Sequence, residues 1–405
     1  MKMQHKRSGL IIRRIRKLTY DSTFLYPLVI KGGKGCFLED IDGKKYLDFA
    51  SNIASCPLGY AHPEVMNILK KYLNEGAHKI AGQDFYCEEH LEIAERLISI
   101  SGKNFKTFLI NSGAEAVENA LKIVYRNTGP LPGVCCMNSF HGRTLGALSF
   151  TNSKEVQKIN FPEFPAKRIK FCTVDDDLEI NRLEHLCEEN KIAFVIIEII
   201  QGEGGMNVAS RKFIKNLYGT TRKYHVPLII DEVQTGIGRT GRWWAYEHYD
   251  IKPDIITVAK SIQIGAVLFD RILEPKRREV LSSTWGGGSR IDMAIGAKTI
   301  EIIHNERLPK HAEKMGRLTM KRLEEIMEKF YSIKEVRGLG LMIGVDFKNA
   351  RERDRIIMKL FKVGLLVLPS GHKTIRILPP LIISQEEINL GLEMIIKVIK
   401  EGTNK

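Results

Sequence analysis

Short apolar runs that stop abruptly at a polar residue recur along this chain. Val226-Pro-Leu-Ile-Ile230 stops at Asp231, and Ile255-Ile-Thr-Val-Ala259 stops at Lys260. Thr107-Phe-Leu-Ile110 stops at Asn111, Val134-Cys-Cys-Met137 at Asn138, and Ile192-Ala-Phe-Val-Ile-Ile197 at Glu198. Runs this short, rich in Ile and Val, predict strands buried on both faces, as in a parallel sheet. Between them the period changes. Ala114, Val117, Ala120, Leu121 and Val124 recur at helical spacing directly after a Ser112-Gly113 turn. The pattern as a whole predicts an α/β fold built on a mostly parallel sheet. Nearer the N-terminus, Asp42-Gly43 between two half-apolar runs predicts a hairpin. Beyond Glu306 a charged helical stretch gives way to strand-like runs at 336–345 and 364–369. Ser384-Gln-Glu-Glu387 then forms a capping box that opens a last amphipathic helix.

Composition narrows this picture. A chain of 405 residues, 43% hydrophobic with 34 glycines, is long enough for a large domain and a smaller one and is not of a disordered type. No apolar run approaches the ~18 residues of a membrane span. Seven cysteines, without a Cys-x-x-Cys pair and mostly inside apolar stretches, predict reduced core thiols, a cytoplasmic setting and no metal site. The formal charge is +14, yet most Lys and Arg alternate with Glu on helical stretches, as on solvated faces. Only residues 2–17 form a cationic block, with seven Lys or Arg, and an N-terminal surface helix is expected there. No aromatic-interleaved basic patch accompanies it, so neither nucleic acid nor a membrane is expected as a partner. A positive field would help gather dicarboxylate substrates.

Ligands of open α/β sheets sit at the carboxyl ends of the strands. Taken singly, Asp231 and Lys260 read as solvated strand ends. Delivered together to one sheet edge, they suggest pyridoxal 5'-phosphate, with the amine joined to the cofactor aldehyde and the carboxylate keeping the ring nitrogen protonated. The strand–turn–helix at Ser112, Gly113 and Ala114 is either an ordinary N-cap or an anion site built from unpaired N–H groups and the helix dipole. Alongside Asp231 and Lys260, phosphate binding is the better reading. Phe140 at a strand end can stack on a flat ring, and Arg143 offers a forked donor for a carboxylate. Glu198 ends a buried run and needs a partner there. Glu203 lies in a glycine-flanked loop in which its side chain could swing.

Several of these segments read together. Asp231-Glu-Val-Gln-Thr-Gly-Ile-Gly-Arg-Thr-Gly241, Ala245-Tyr-Glu-His248, Pro253-Asp-Ile255 and Ala259-Lys260, with Phe140-His-Gly-Arg143, resemble the signature of the class III (subgroup II) aminotransferases. The likeness runs from about Leu25 to the C-terminal helix.

The resemblance implies a fold-type I transferase. Its small α+β domain would comprise residues 1–50 and 306–405, and its large cofactor domain residues 51–305. It implies cofactor contacts by His141, Glu198 and Gln234, the last at the ring's phenolic oxygen. Thr284 would reach the phosphate of the neighbouring subunit's cofactor, which makes the enzyme a homodimer with shared sites. Arg376 would bind a carboxylate and Glu203 would pair with it when no carboxylate is present, leaving Arg143 for the distal carboxylate. The loop 48–63 would line the substrate entrance, with Ile53 where ornithine-type enzymes carry a tyrosine. The family's proline after Glu198 is Ile199 here, and the Gly-Gly-x-Pro after the family lysine is absent. Ile53-Ala-Ser-Cys-Pro-Leu-Gly59, Lys260-Ser-Ile-Gln-Ile-Gly265 and Ser283-Thr-Trp-Gly-Gly287 look most like lysine 6-aminotransferases. The expected reaction moves the terminal amine of L-lysine to 2-oxoglutarate. Ornithine, acetylornithine and 4-aminobutyrate remain alternatives, because one methylene discriminates by only ~1–3 kcal/mol. Amino-acid racemases share the fold.

Overall fold

The structure is a computed structural model that describes residues 7–20, 26–75, 85–175, 177–189, 191–281, 283 and 289–403. Its largest sheet has seven strands: β1 (Phe105–Ile110), β2 (Gly133–Cys136), β3 (Ala166–Ile169), β4 (Phe194–Ile197), β5 (Leu228–Asp231), β6 (Ile255–Val258) and β7 (Gly265–Asp270). They lie in the order β1-β7-β6-β5-β4-β2-β3. Strand β7 runs antiparallel to both neighbours, and every other adjacent pair is parallel. Both faces of the sheet are covered, as the near-continuous Ile/Val runs require. Ile196, Ile229 and Ile255 join one apolar cluster, whereas Ile197, Ile230 and Ile256 join the other. Helix α1 (Gly113–Thr128) contributes Val117, Ala120, Leu121 and Val124 to the first cluster, the stripe its period foretold.

Two four-stranded sheets complete the frame. In one, the hairpin strands Phe37–Asp40 and Lys45–Asp48 turn at Asp42-Gly43, and Lys45–Asp48 then pairs in parallel with Leu365–Leu366. The other is antiparallel, with Thr374–Ile377 held between Met342–Asp346 and Leu368–Ser370. The run 336–345, which looked like one strand, is a tight hairpin with Leu339 opposite Met342. Gly340 allows this with φ +54°, and a Cβ there would stand 2.4 Å from the Thr240 carbonyl carbon. The run 364–369 likewise splits between the two sheets. Within the basic N-terminal block, Arg7–Leu18 is a helix, mostly exposed. None of the described helices is long and apolar enough to cross a membrane. All seven cysteines are free thiols, five of them buried.

The stretch after the hairpin departs most from expectation. Ser51, Asn52, Ile53 and Ala54 all have positive φ, between 44° and 67°, and form one left-handed turn without glycine. Such a conformation costs roughly 1–2 kcal/mol for each L-residue. The buried Asp48 carboxylate holds it, because Oδ1 accepts from the Ala50 N–H at 2.7 Å and the Ser51 N–H at 3.0 Å. Its Oδ2 accepts from the Tyr60 hydroxyl at 2.6 Å.

Candidate active site

A cavity of about 570 Å³ opens at the carboxyl ends of β4, β5 and β6. Into it the fold brings Ser112, Gly113, Ala114, Phe140, His141, Arg143, Glu198, Glu203, Asp231, Gln234 and Lys260. Arg376 is buried and bound to Glu203 but does not itself line the cavity. Thr284 lies outside the described residues, as does Trp285. Of loop 48–63 only Ser55 reaches the wall among the described residues, and Ile53 does not.

The parallel register of β5 and β6 sets Asp231 beside Thr257, three residues before Lys260 in the chain. Asp231 Oδ1 accepts from the Val233 N–H at 3.0 Å and the Thr257 hydroxyl at 3.2 Å. Its Oδ2 lies 2.8 Å from His141 Nδ1, and that imidazole is itself buried. The carboxylate is therefore fixed in place before any ligand arrives. Lys260 begins a single 3-10 turn, Lys260–Ile262, and remains partly exposed within the cavity. Burial lowers its pKa, with the Arg376 charge second, against the opposing pull of the Glu203, Asp231 and Glu198 carboxylates.

Glu198 finds its partners in backbone and not in a cation. Oε1 accepts from the Phe140 N–H at 2.9 Å and Oε2 from the Gly202 N–H at 3.0 Å. One carboxyl thus ties together the two loops that carry Phe140 and Glu203. Burial raises its pKa to about 7; the Asp231 charge pushes the same way, and His141 and the two N–H donors hold it down. Glu203 pairs with Arg376, Oε1 to Nη1, at 2.5 Å. Burial alone would raise the Glu203 carboxyl, but the Arg376 charge and hydrogen bond outweigh it, so the pKa falls below the ordinary value.

At the other wall, α1 starts at the cavity. The Ser112 hydroxyl caps it by accepting from the Glu115 N–H at 3.2 Å. The N–H groups of Gly113 and Ala114, in the first turn, have no intrahelical acceptor and form the positive end of the helix dipole. Gln234 is buried at the cavity wall, with its Oε1 unpartnered. Gly202 makes room for that amide, since a Cβ there would lie 2.0 Å from Oε1. A helix N-terminus, a fixed carboxylate, an amine of lowered pKa and an amide with an unpartnered oxygen suit the phosphate, ring nitrogen, aldehyde and phenolic oxygen of pyridoxal phosphate. The donor set therefore fits that cofactor.

Four contributors escaped the sequence reading: Asp48, Val233, Arg239 and Gln263. Val233 lines the cavity beside Asp231, and the Asp-Glu-Val motif was the available signal for it. Arg239 is fully buried and donates to the Leu341 and Pro379 carbonyls, pinning the glycine-rich loop to the strands around Arg376. Glu232, next to Asp231, is also fully buried, but it serves structure: it accepts from the Thr235 hydroxyl and from the Tyr246 N–H at 3.0 Å. Burial raises its pKa to about 7. Because its folded pKa lies above the unfolded value, Glu232's own contribution to stability is fully present below the unfolded pKa and is lost as pH rises through about 7. The 4.5-to-7 shift corresponds to roughly 3 kcal/mol. Glu232→Gln is isosteric, and its Tm should fall less between pH 5 and pH 8 than that of the parent. Parallel Tm–pH curves would show that the buried carboxyl carries no such linkage.

Comparison with known proteins agrees with the geometry. The class-III aminotransferase family profile matches residues 20–399. An acetylornithine aminotransferase of Archaeoglobus fulgidus is 37% identical over 390 residues, spanning 95% of this chain and 99% of that protein. An alanine/serine racemase of Pyrococcus horikoshii is 34% identical, over 93% of this chain and 86% of its own length. Among solved structures, a lysine aminotransferase from M. tuberculosis superposes with a TM-score of 0.89 at 28% identity, covering 96% of this chain and 98% of its own. With the family signature spanning the whole sheet, its cavity and the strand that carries Arg376, this chain belongs to the class-III aminotransferases, fold-type I enzymes that work with pyridoxal phosphate.

Proposed function

We propose that the enzyme is an ω-aminotransferase that takes the terminal amine of a basic amino acid, L-lysine first, and passes it to 2-oxoglutarate, releasing an aldehyde and L-glutamate. The carrying observation is the Glu203–Arg376 pair: the arginine is buried, and the carboxylate covering it lines the cavity. Glutamate and 2-oxoglutarate carry a carboxylate at the reacting carbon, whereas an ω-amine carries none. A bare Arg376 would be left uncompensated with the second kind of substrate, at a cost of about 3–5 kcal/mol. Glu203 pairs with it during the amine half-reaction and moves aside for the keto acid.

Pyridoxal phosphate, when bound, supplies the electron sink that makes the substrate's carbon acidic. Lys260 holds and moves the proton at that carbon, for which a lowered amine pKa is suited. Asp231 faces the ring nitrogen, and His141 orients Asp231. Phe140 covers one ring face, Gln234 meets the phenolic oxygen, and the N–H groups at Ser112, Gly113 and Ala114 hold the phosphate. Glu198 braces the loops on either side. Arg143, exposed at the mouth and without an ion-pair partner among the described residues, holds the distal carboxylate. The working unit on this reading is a homodimer in which Thr284 completes the neighbouring subunit's phosphate site.

L-Lysine is preferred because the 53–59, 260–265 and 283–287 stretches resemble lysine 6-aminotransferases, and the fold likeness to the mycobacterial lysine enzyme supports it. The racemase relative motivates a second reading, in which a proton is exchanged between faces with no amine transferred. One experiment separates them. Cofactor-loaded enzyme with L-lysine and 2-oxoglutarate should form glutamate and a cyclising aldehyde in equal amounts. In single turnovers, Glu203→Ala should slow the lysine half-reaction about tenfold more than the glutamate half-reaction. Equal slowing removes the gate, and D-amino acid without glutamate establishes the racemase.

A further inference from the structure

Lys260's turn ends at Gln263, which adopts the left-handed conformation with φ 63° and ψ −4°. Only Ile264 separates it from β7. The Gln263 Nε2 donates to the Ser55 carbonyl at 2.5 Å and to the Lys260 carbonyl at 3.2 Å. A primary amide has two N–H donors and one carbonyl acceptor. Because both partners are carbonyl oxygens, the nitrogen must face them, and its donors are then used up. The Gln263 oxygen is what the side chain has left for a ligand, and no described residue donates to it. The two backbone segments that its nitrogen bridges are themselves fixed. Ser55 follows the left-handed turn anchored by Asp48, and the Ser261 hydroxyl donates to the Ala54 carbonyl of that turn at 3.3 Å.

Gln263 and Arg143 both line the cavity and are both exposed, while Asp231 and Glu198 are buried. A donor whose terminal amine reaches Lys260 leaves its other end at this exposed mouth. The mouth therefore offers a cation and a neutral, pre-positioned acceptor. That pair matches the two halves of an α-amino acid head, a carboxylate and an ammonium. We infer that the carbonyl oxygen of Gln263 binds the distal α-ammonium of the amino donor while Arg143 binds its carboxylate, an inference that rests on the ω-amine reading above. Gln263 is then a specificity-determining residue that favours donors with a free α-amino group.

The test compares L-lysine with 6-aminohexanoate, using 2-oxoglutarate as acceptor and cofactor-loaded enzyme. The two donors share the reacting amine, the chain length and the carboxylate, and differ only at the α-amino group. Wild-type enzyme should favour L-lysine in kcat/KM by about tenfold to a hundredfold, the range of one hydrogen bond to a charged group, with most of the effect in KM. Gln263→Leu should bring the ratio close to one. Any loosening of the Ser55 tether slows both donors alike and cancels in the ratio. Gln263→Glu loses both N–H tethers but puts a carboxylate at the mouth, and should still favour L-lysine through its α-ammonium. The same ratio in wild type and Gln263→Leu overturns the subsite while leaving the ω-amine reading intact. No glutamate from either donor with wild-type enzyme overturns that reading and the subsite together.

Discussion

Replacing Lys260 by alanine should lower turnover about 10⁴-fold or more and abolish the covalent attachment of the cofactor. The size of the effect follows from two roles in one side chain. Lys260 alone among the described cavity residues offers an amine to the aldehyde, and on the proposed reading its nitrogen also carries the proton. Its lowered pKa, set by burial and by Arg376, keeps more of the amine neutral near pH 7. The fold should survive the change, because the turn that carries Lys260 is held by its neighbours: the Ser261 hydroxyl and Gln263 amide bind Ala54 and Ser55. Cofactor should still bind non-covalently, with the absorbance of a free aldehyde, and added small amines should restore a measurable part of the rate. A variant that keeps a tenth of wild-type turnover would remove Lys260 from the chemistry.

How far the residues announced this site depends on the kind of contact involved. Asp231 and Lys260 could be found because buried Ile/Val strands end sharply, and a charged residue at such an end stands out. The helix start at Ser112 was visible for a similar reason, a change of period after a Ser-Gly turn. Contacts made through backbone were not visible. Glu198 invited a search for a cation, yet its partners are the N–H groups of Phe140 and Gly202, which no side-chain pattern encodes. The left-handed turn at 51–54 runs against local preference at four non-glycine residues and exists because Asp48 imposes it from outside the turn. Arg239 sits in a glycine-rich loop that composition assigns to the surface. It is buried because Gly340 lets a hairpin from the far end of the chain close over it. Position 340 also divides the run 336–345 into two strands, although its hydrophobic pattern continues across the turn. Gln263 falls in the stretch where the family's Gly-Gly-x-Pro is absent, and that departure by itself gives it no role. Its two hydrogen bonds, which give it a role, appear only when Ser55 is brought beside it.

Asp231→Asn should leave the cofactor attached and cut kcat on the order of 10³-fold, the scale seen when one pre-organised electrostatic group is removed from an active site. The substitution keeps the shape of the side chain and removes its charge. Oδ1 can still accept from the Val233 N–H and the Thr257 hydroxyl, so the strand end stays in place. At the other oxygen an amide nitrogen would now face His141 Nδ1, and the imidazole can meet it by exchanging tautomers, since its Nε2 has no competing partner. What cannot be recovered is the negative charge that, on the proposed reading, would face the ring nitrogen in a water-poor site, where an interaction between charges is worth several times its value in water. The proton on that nitrogen is then held less firmly and the ring draws electrons less strongly. A cofactor analogue with a permanently cationic ring nitrogen should therefore restore at least tenfold in the Asp231→Asn enzyme and nothing in the wild type. Structural damage at the end of β5 would respond equally poorly to both cofactors. Loss of rate without such rescue would mean that Asp231 acts by holding His141 and the loop after β5, and that the charge itself does no chemistry.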